Sequence, residues 1–285
     1  MLYHRCVGTR RKHGQKRRFS GSSVQGPARA PEHAPYPRVC AHRGIPSTCP
    51  ENTLPSFAAA LAARAEEIEL DLRLSADGVP VVCHDESLER TTGRAALVSE
   101  LPWEEIRTLD ATRLGDPAWR PTSIPRFEEV IDLVGGRAVL NIHLKDPGPG
   151  GSLVAVVARL LGARGLDRAA YVAGNEELLA AALELCPEID RACLARQREP
   201  EQQIEVAARY RCARVQFGRS APEAALAEAR ARGMIRNLFW ADEPQEARQW
   251  VQRGIDVILT NRAHAITSAL LRSDGPRAST SRTRA

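Results

Sequence analysis

No stretch of the 285-residue chain approaches the ~18 consecutive apolar residues that cross a bilayer. Nor does any apolar run of about 7–15 residues near the start read as a secretory signal. No membrane span and a cytoplasmic location are therefore the expectation. The seven cysteines (Cys6, Cys40, Cys49, Cys83, Cys186, Cys193, Cys212) are odd in number and include no CxxC pair. That argues against a disulfide framework or a zinc module. Most of them lie in apolar contexts, where cysteine acts as a small hydrophobe, as suits a reducing compartment. No GxGxxG follows any strand-like run, which argues against a dinucleotide-binding open sheet.

Basic character is present, but only at the ends. The formal charge of +5 divides into +7 over residues 1–36, +2 over residues 273–285 and −4 over the body between them. A basic head on a mildly acidic body does not describe a nucleic-acid-binding domain, so no nucleic-acid partner is expected. The head, with "RRKHGQKRRFSGSSVQGPARAPEHAPYP", lacks apolar periodicity and is rich in Gly, Ser and Pro. It reads as a disordered tail: an unselective one, a polyanion-binding arm or a transit-like peptide. The domain boundaries expected are a tail over 1–36, a folded domain over 37–272 and a second disordered tail over 273–285. The oligomeric state is not encoded legibly.

From residue 37 the pattern alternates. Strand-like runs fall at 38–41, 67–74, 138–144, 169–173, 191–195, 213–217, 234–239 and 256–260. Helical patterns fall at 54–65, 153–161, 176–185, 201–210, 223–231, 244–253 and 262–271. Strands separated by helices pair in parallel through right-handed crossovers. Eight such units in this length predict an α/β fold, a (β/α)8 TIM barrel. Between the second and third barrel strands lie a hairpin-like "SADGVPVVCHD" and two short helices, around 102–109 and 126–134. This stretch reads as a small insertion on the upper rim.

In "EIELDLRL", Glu67, Glu69, Asp71 and Arg73 share one strand face, and Ile68, Leu70, Leu72 and Leu74 the other. A barrel strand turns its apolar face outward to the helices, so the charges point inward. Glu69 and Asp71, with Cα atoms roughly 6.5–7 Å apart, can converge on one cation, or be neutralised by Arg73 or Lys145. "LNIHLKD" places Asn141, His143 and Lys145 on one face, and His143 could complete a metal site on a strand about 4.8 Å away. His84 ends "VPVVCH", and His42-Arg43 end the first strand. Two histidines, two carboxylates and two cations at strand ends suit a phosphate ester: the cations hold phosphoryl oxygens and the histidines transfer protons.

The blocks "AHRGIPSTCPENTLPSF", "EIELDLRLSADGVPVVCHDESLERTTG", "SIPRFEEVIDL", "LNIHLKD" and "GIDVILTN" resemble, in order and spacing, those of the glycerophosphodiester phosphodiesterase family. The resemblance runs from about residue 38 to 261. It implies a TIM barrel with a small inserted subdomain that hydrolyses glycerophosphodiesters to sn-glycerol 3-phosphate and an alcohol with a divalent metal cation. By the resemblance, His42 and His84 are the acid/base pair, Arg43 and Lys145 contact the phosphate, and Trp240 lines the pocket. Glu69 and Asp71 are metal ligands. Glu51 and Asn52 support the first histidine and start the first helix, and Asp85 orients its neighbours. One position departs: the family's third metal ligand is usually Glu, where this chain has His143. Mg²⁺ and Ca²⁺ prefer oxygen ligands whereas imidazole suits Zn²⁺, Mn²⁺ or Co²⁺ better, so the identity of the divalent cation, Mg²⁺, Ca²⁺ or Mn²⁺, is open. Two alternatives to the expected hydrolase are a lysophospholipase D-type phosphodiesterase and a non-catalytic phosphodiester-binding barrel.

Overall fold

Alternating side chains decide which way each strand faces. In the computed structural model, which describes residues 34–113 and 116–272, Ile68, Leu70 and Leu72 are fully buried against the helical layer. Glu67, Glu69 and Asp71, also buried, line the inside of the same strand. Each outward aliphatic contributes about 1.5–3 kcal/mol through its burial.

Among the described residues nine strands form: β1 (Arg38–His42), β2 (Glu67–Leu74), β3 (Pro80–Val82), β4 (Val139–Leu144), β5 (Ala170–Gly174), β6 (Asp190–Cys193), β7 (Arg214–Gly218), β8 (Ile235–Phe239) and β9 (Val257–Thr260). β1 pairs in parallel with both β2 and β9, and every other barrel neighbour is parallel too. The eight strands without β3 thus close a TIM barrel. Helices α1 (Leu54–Ala62), α5 (Ser152–Gly162), α6 (Glu176–Leu185), α7 (Pro200–Arg209), α8 (Glu223–Ala231), α9 (Pro244–Gln252) and α10 (Ala263–Arg272) lie between or after them.

β3 is antiparallel to β2. It opens a segment that includes α2 (Glu89–Thr92) and α3 (Trp103–Ile106). Val81, Leu88, Val98, Leu101, Trp103 and Ile124 form a separate small core beneath this segment. The second of the two short helices expected there, α4 (Phe127–Val134), belongs elsewhere. Its Phe127, Val130, Ile131 and Val134, spaced as one helix face, join the main barrel core. Glu129 accepts from the Arg126 backbone N–H (2.9 Å) and satisfies one donor at the helix start. α4 is therefore the crossover helix between β2 and β4.

Residues 1–33 and 273–285, most of the two expected tails, lie outside the described residues. Ala34 and Tyr36, also assigned to the tail, touch the barrel: Arg38 Nε donates to the Ala34 carbonyl (3.0 Å), and its guanidinium lies 4.3 Å from the Tyr36 ring centre. The six described cysteines are buried and free. Among the described residues no helix is long and apolar enough to cross a membrane.

Register sets the depth of each inward side chain. Cys40 is level with Glu67, His42 with Glu69, and Asp71 with His143. Glu67 lies one layer below Glu69 and accepts from Tyr171 OH (2.9 Å), Arg214 (3.2 Å) and Arg38 (3.3 Å). This ion cluster fills the barrel's lower interior. The layers above it form the site.

Candidate active site

His42 is the last residue of β1, and the chain turns sharply after it. Arg43 adopts a left-handed φ of +54°, uncommon for a residue with a Cβ. Gly44 follows at φ +84°, and a Cβ there would meet Ser56 Oγ at 2.2 Å, so only glycine fits. The turn delivers the Arg43 N–H to Glu69 Oε2 (2.9 Å), while its carbonyl accepts from the Asn52 N–H and the Ser56 hydroxyl (both 3.0 Å). The Arg43 guanidinium then lies 3.0 Å from Glu51 and 3.3 Å from Asp71.

Buried His42 places Nδ1 2.8 Å from Asn261 Oδ1 and Nε2 3.9 Å from Glu69 Oε2. The edge of its ring meets Phe239, with centroids 5.3 Å apart. Burial, reinforced by the Arg43 charge and opposed by the Asn261 hydrogen bond, lowers its pKa to about 4. His84 follows β3 on a loop, tied by Arg73 Nε donating to its carbonyl (3.1 Å). Its Nδ1 donates to Asp85 Oδ1 at 2.6 Å. Burial lowers the imidazole's pKa, against the pull of Asp85.

Asp85 also accepts from Arg90, whose guanidinium reaches Glu51 at 2.7 and 2.9 Å. Burial raises the Asp85 carboxyl, but the Arg90 and His84 bonds outweigh it and hold the pKa at about 2. An ion-pair chain, Asp71–Arg43–Glu51–Arg90–Asp85, thus connects the barrel interior to the His84 loop. Arg90 carries no role in the sequence reading, which leaves it as loop structure. The "PENT" residues are attached differently from the expectation. Glu51 joins Arg43 to Arg90 and makes no bond to His42. Asn52 donates to Asp71 Oδ2 (2.8 Å), and Thr53 occupies the helix N-cap instead.

Glu69, Asp71 and His143 each bring a ligand atom within 4.8 Å of the others. The two carboxylates are unequal. Asp71 is raised by burial but pulled well below its usual value by the His143 hydrogen bond and the Lys145 and Arg43 charges. Glu69 is pushed well above its usual value by burial and by Asp71, more than Lys145 and Arg43 offset. A buried carboxyl that resists ionisation alone is what a divalent cation relieves, so the three residues fit a metal ion. Lys145 Nζ is 2.6 Å from Asp71 Oδ1 and 3.0 Å from His143 Nδ1. Trp240, just past β8, stacks edge-on to Phe239 (4.9 Å).

The structure therefore brings His42, Arg43, Glu69, Asp71, His143 and Lys145 together, from the C-terminal ends of β1 and β4 and the middle of β2. Asn261 closes the block "GIDVILTN", yet the sequence reading gives it no role. Its signal is position: the first residue after a barrel strand.

Several known proteins are similar to this chain. The chain is 40% identical over 111 residues to a glycerophosphodiester phosphodiesterase of Bacillus altitudinis, covering 38% of this chain and 45% of that one. It spans 66% and 44% of the length of two further curated relatives. A crystal structure of glycerophosphodiester phosphodiesterase from Agrobacterium tumefaciens matches with a TM-score of 0.70 at 28% identity, over 81% of this chain and 99% of that one. A phosphodiesterase of Oleispira antarctica, solved in complex with the product sn-glycerol-3-phosphate, matches with a TM-score of 0.74 at 27% identity, over 82% and 97% of the two chains. The family model described as the glycerophosphoryl diester phosphodiesterase family matches residues 42–265, from the first site histidine to beyond the last barrel strand, and the chain belongs to that family.

Proposed function

We propose that the protein hydrolyses glycerophosphodiesters to sn-glycerol 3-phosphate and an alcohol. One observation carries the reading: two histidines, each with Nδ1 engaged by an oxygen acceptor, one at the end of β1 and one on the loop after β3, accompany a carboxylate pair, Arg43 and Lys145. An engaged Nδ1 leaves Nε2 to face a substrate.

His42, with its pKa near 4, stays neutral under ordinary conditions and acts as the base on the attacking oxygen, either water or the substrate's own 2-hydroxyl. His84 lies nearer the surface, and Asp85 beside it stabilises the imidazolium. It delivers a proton to the departing alcohol. Burial lowers both imidazoles, so the division of roles rests on Asp85 beside His84 and on the greater exposure of that ring. Arg43 and Lys145 bind the phosphoryl oxygens, and Trp240 forms part of the wall. A divalent cation held by Glu69, Asp71 and His143 supplies Lewis-acid stabilisation of the phosphoryl charge when bound.

The test is a coupled assay for glycerol 3-phosphate released from glycerophosphocholine and glycerophosphoethanolamine, with and without added Mg²⁺, Ca²⁺ and Mn²⁺. Release that depends on added metal supports the reading. No release under any of these conditions overturns it.

A further inference from the structure

We infer that Asp242 is a positioning residue that fixes the tautomer of His42 by acting through Asn261. It touches neither the imidazole nor the carboxylate pair. It lies on the loop after β8, and its carboxylate accepts four hydrogen bonds. Oδ1 accepts from the Asn261 backbone N–H (2.7 Å) and the Thr260 hydroxyl (2.9 Å). Oδ2 accepts from Asn261 Nδ2 (2.8 Å) and the Trp240 indole N–H (3.1 Å). The Thr260 hydroxyl itself accepts from the Arg262 N–H (3.0 Å), so its own proton is free to point at Asp242.

The direction of each bond follows from what each group can donate. A carboxylate only accepts, so Asn261 must turn its NH2 towards Asp242. That leaves Asn261 Oδ1 facing His42 Nδ1 at 2.8 Å. An amide oxygen cannot donate, so the proton of neutral His42 sits on Nδ1 and the lone pair on Nε2, the nitrogen facing Glu69. Without Asp242 the two faces of the Asn261 amide are nearly equivalent. A flipped amide would offer N–H to Nδ1 and drive the imidazole proton to Nε2, where it blocks proton abstraction.

The effect on turnover rests on the proposed role of His42 as base; the tautomer does not. The test reads both. Asp242→Asn keeps the side chain's shape, but its new NH2 faces two donors whichever way it turns. The double variant Asp242→Asn with Asn261→Asp reverses the polarity of the pair. The amide introduced at position 242 then donates to the carboxylate introduced at position 261, and that carboxylate accepts from His42 Nδ1.

Long-range ¹H–¹⁵N correlation spectra of the full chain with ¹⁵N-labelled histidine, near neutral pH, report which nitrogen carries the proton. The His42 signal is assigned by its loss in His42→Gln. The wild type is expected to show Nδ1-protonated His42. Asp242→Asn should shift it towards Nε2–H and lower kcat about 10²-fold, with KM changed less than about twofold. The double variant should restore the Nδ1–H signature. An Nε2-protonated His42 in the wild type overturns the inference without any variant. So does an unchanged His42 signature in folded Asp242→Asn. A wild type with the expected tautomer but no phosphodiester hydrolysis would sink the proposed function and leave this inference standing.

Discussion

Lys145 Nζ stands 2.6 Å from Asp71 Oδ1, so a fixed ammonium occupies the edge of the cluster that could hold a cation. Its positive charge would oppose a cation bound there. Lys145→Met is expected to tighten Mn²⁺ binding by about tenfold, since a neighbouring like charge is removed. The same variant should raise KM for glycerophosphocholine. Calorimetric titration of the metal and steady-state kinetics check the two halves separately; weaker metal binding in the variant would contradict the first.

His42→Ala and His84→Ala should each lower turnover by roughly 10²–10⁴-fold, the usual contribution of a positioned acid or base. Their melting temperatures should stay close to that of the wild type, because His84 lies on a loop and His42 at a strand end. Near-normal turnover in either folded variant removes that residue from the mechanism.

His143→Glu should move metal preference towards Mg²⁺ or Ca²⁺, because it exchanges an imidazole for a third hard oxygen ligand. Metal titration of the two proteins decides the matter. Identical preference would show that His143 only fills space beside Lys145.

Below the barrel's working face, Glu67 is fully buried against Arg214, Arg38 and Tyr171. Glu67→Gln leaves the Arg214 charge in the interior without its carboxylate and should cost about 3–5 kcal/mol of stability. Urea denaturation measures it. A loss below about 1 kcal/mol would mean that water or neighbouring groups take over the carboxylate's part.

The Asp85 carboxyl, held at about 2 by Arg90 and His84 against its burial, has a definite pH signature. A depressed pKa contributes stability that is present above the ordinary carboxyl value of about 4 and lost as pH falls towards 2. The melting-temperature gap between wild type and Asp85→Asn should therefore be constant above about pH 4.5 and narrow below it. A gap that widens on acidification would reverse the assignment.

Eight barrel strands are legible in the sequence because Ile68, Leu70 and Leu72 alternate with Glu67, Glu69 and Asp71, and the other strands are set off by helical patterns. Depth is not legible. Glu67 has the same period and charge as Glu69, and only pairing with Cys40 rather than His42 places it in the lower ion cluster. α4 shows the same limit: an amphipathic face does not say which core it will meet. Of the site, the strand-end groups are readable because each sits in a local motif. The Arg90–Glu51 link spans 39 residues and the Asn261–Asp242 bond 19, through loops whose course no local pattern dictates.

The seam where β1 meets β9 gives the protein a built-in completion check. His42 and Asn261 are 219 residues apart in the chain, and the final strand brings the second to the first. A nascent chain could emerge with β2 and β4 paired and both carboxylates placed, yet it would lack the partner that holds the first histidine. The proposed hydrolytic activity should thus appear only once β9 docks beside β1. A chain cut short before β9 should therefore lack the activity, which the coupled glycerol 3-phosphate assay would show.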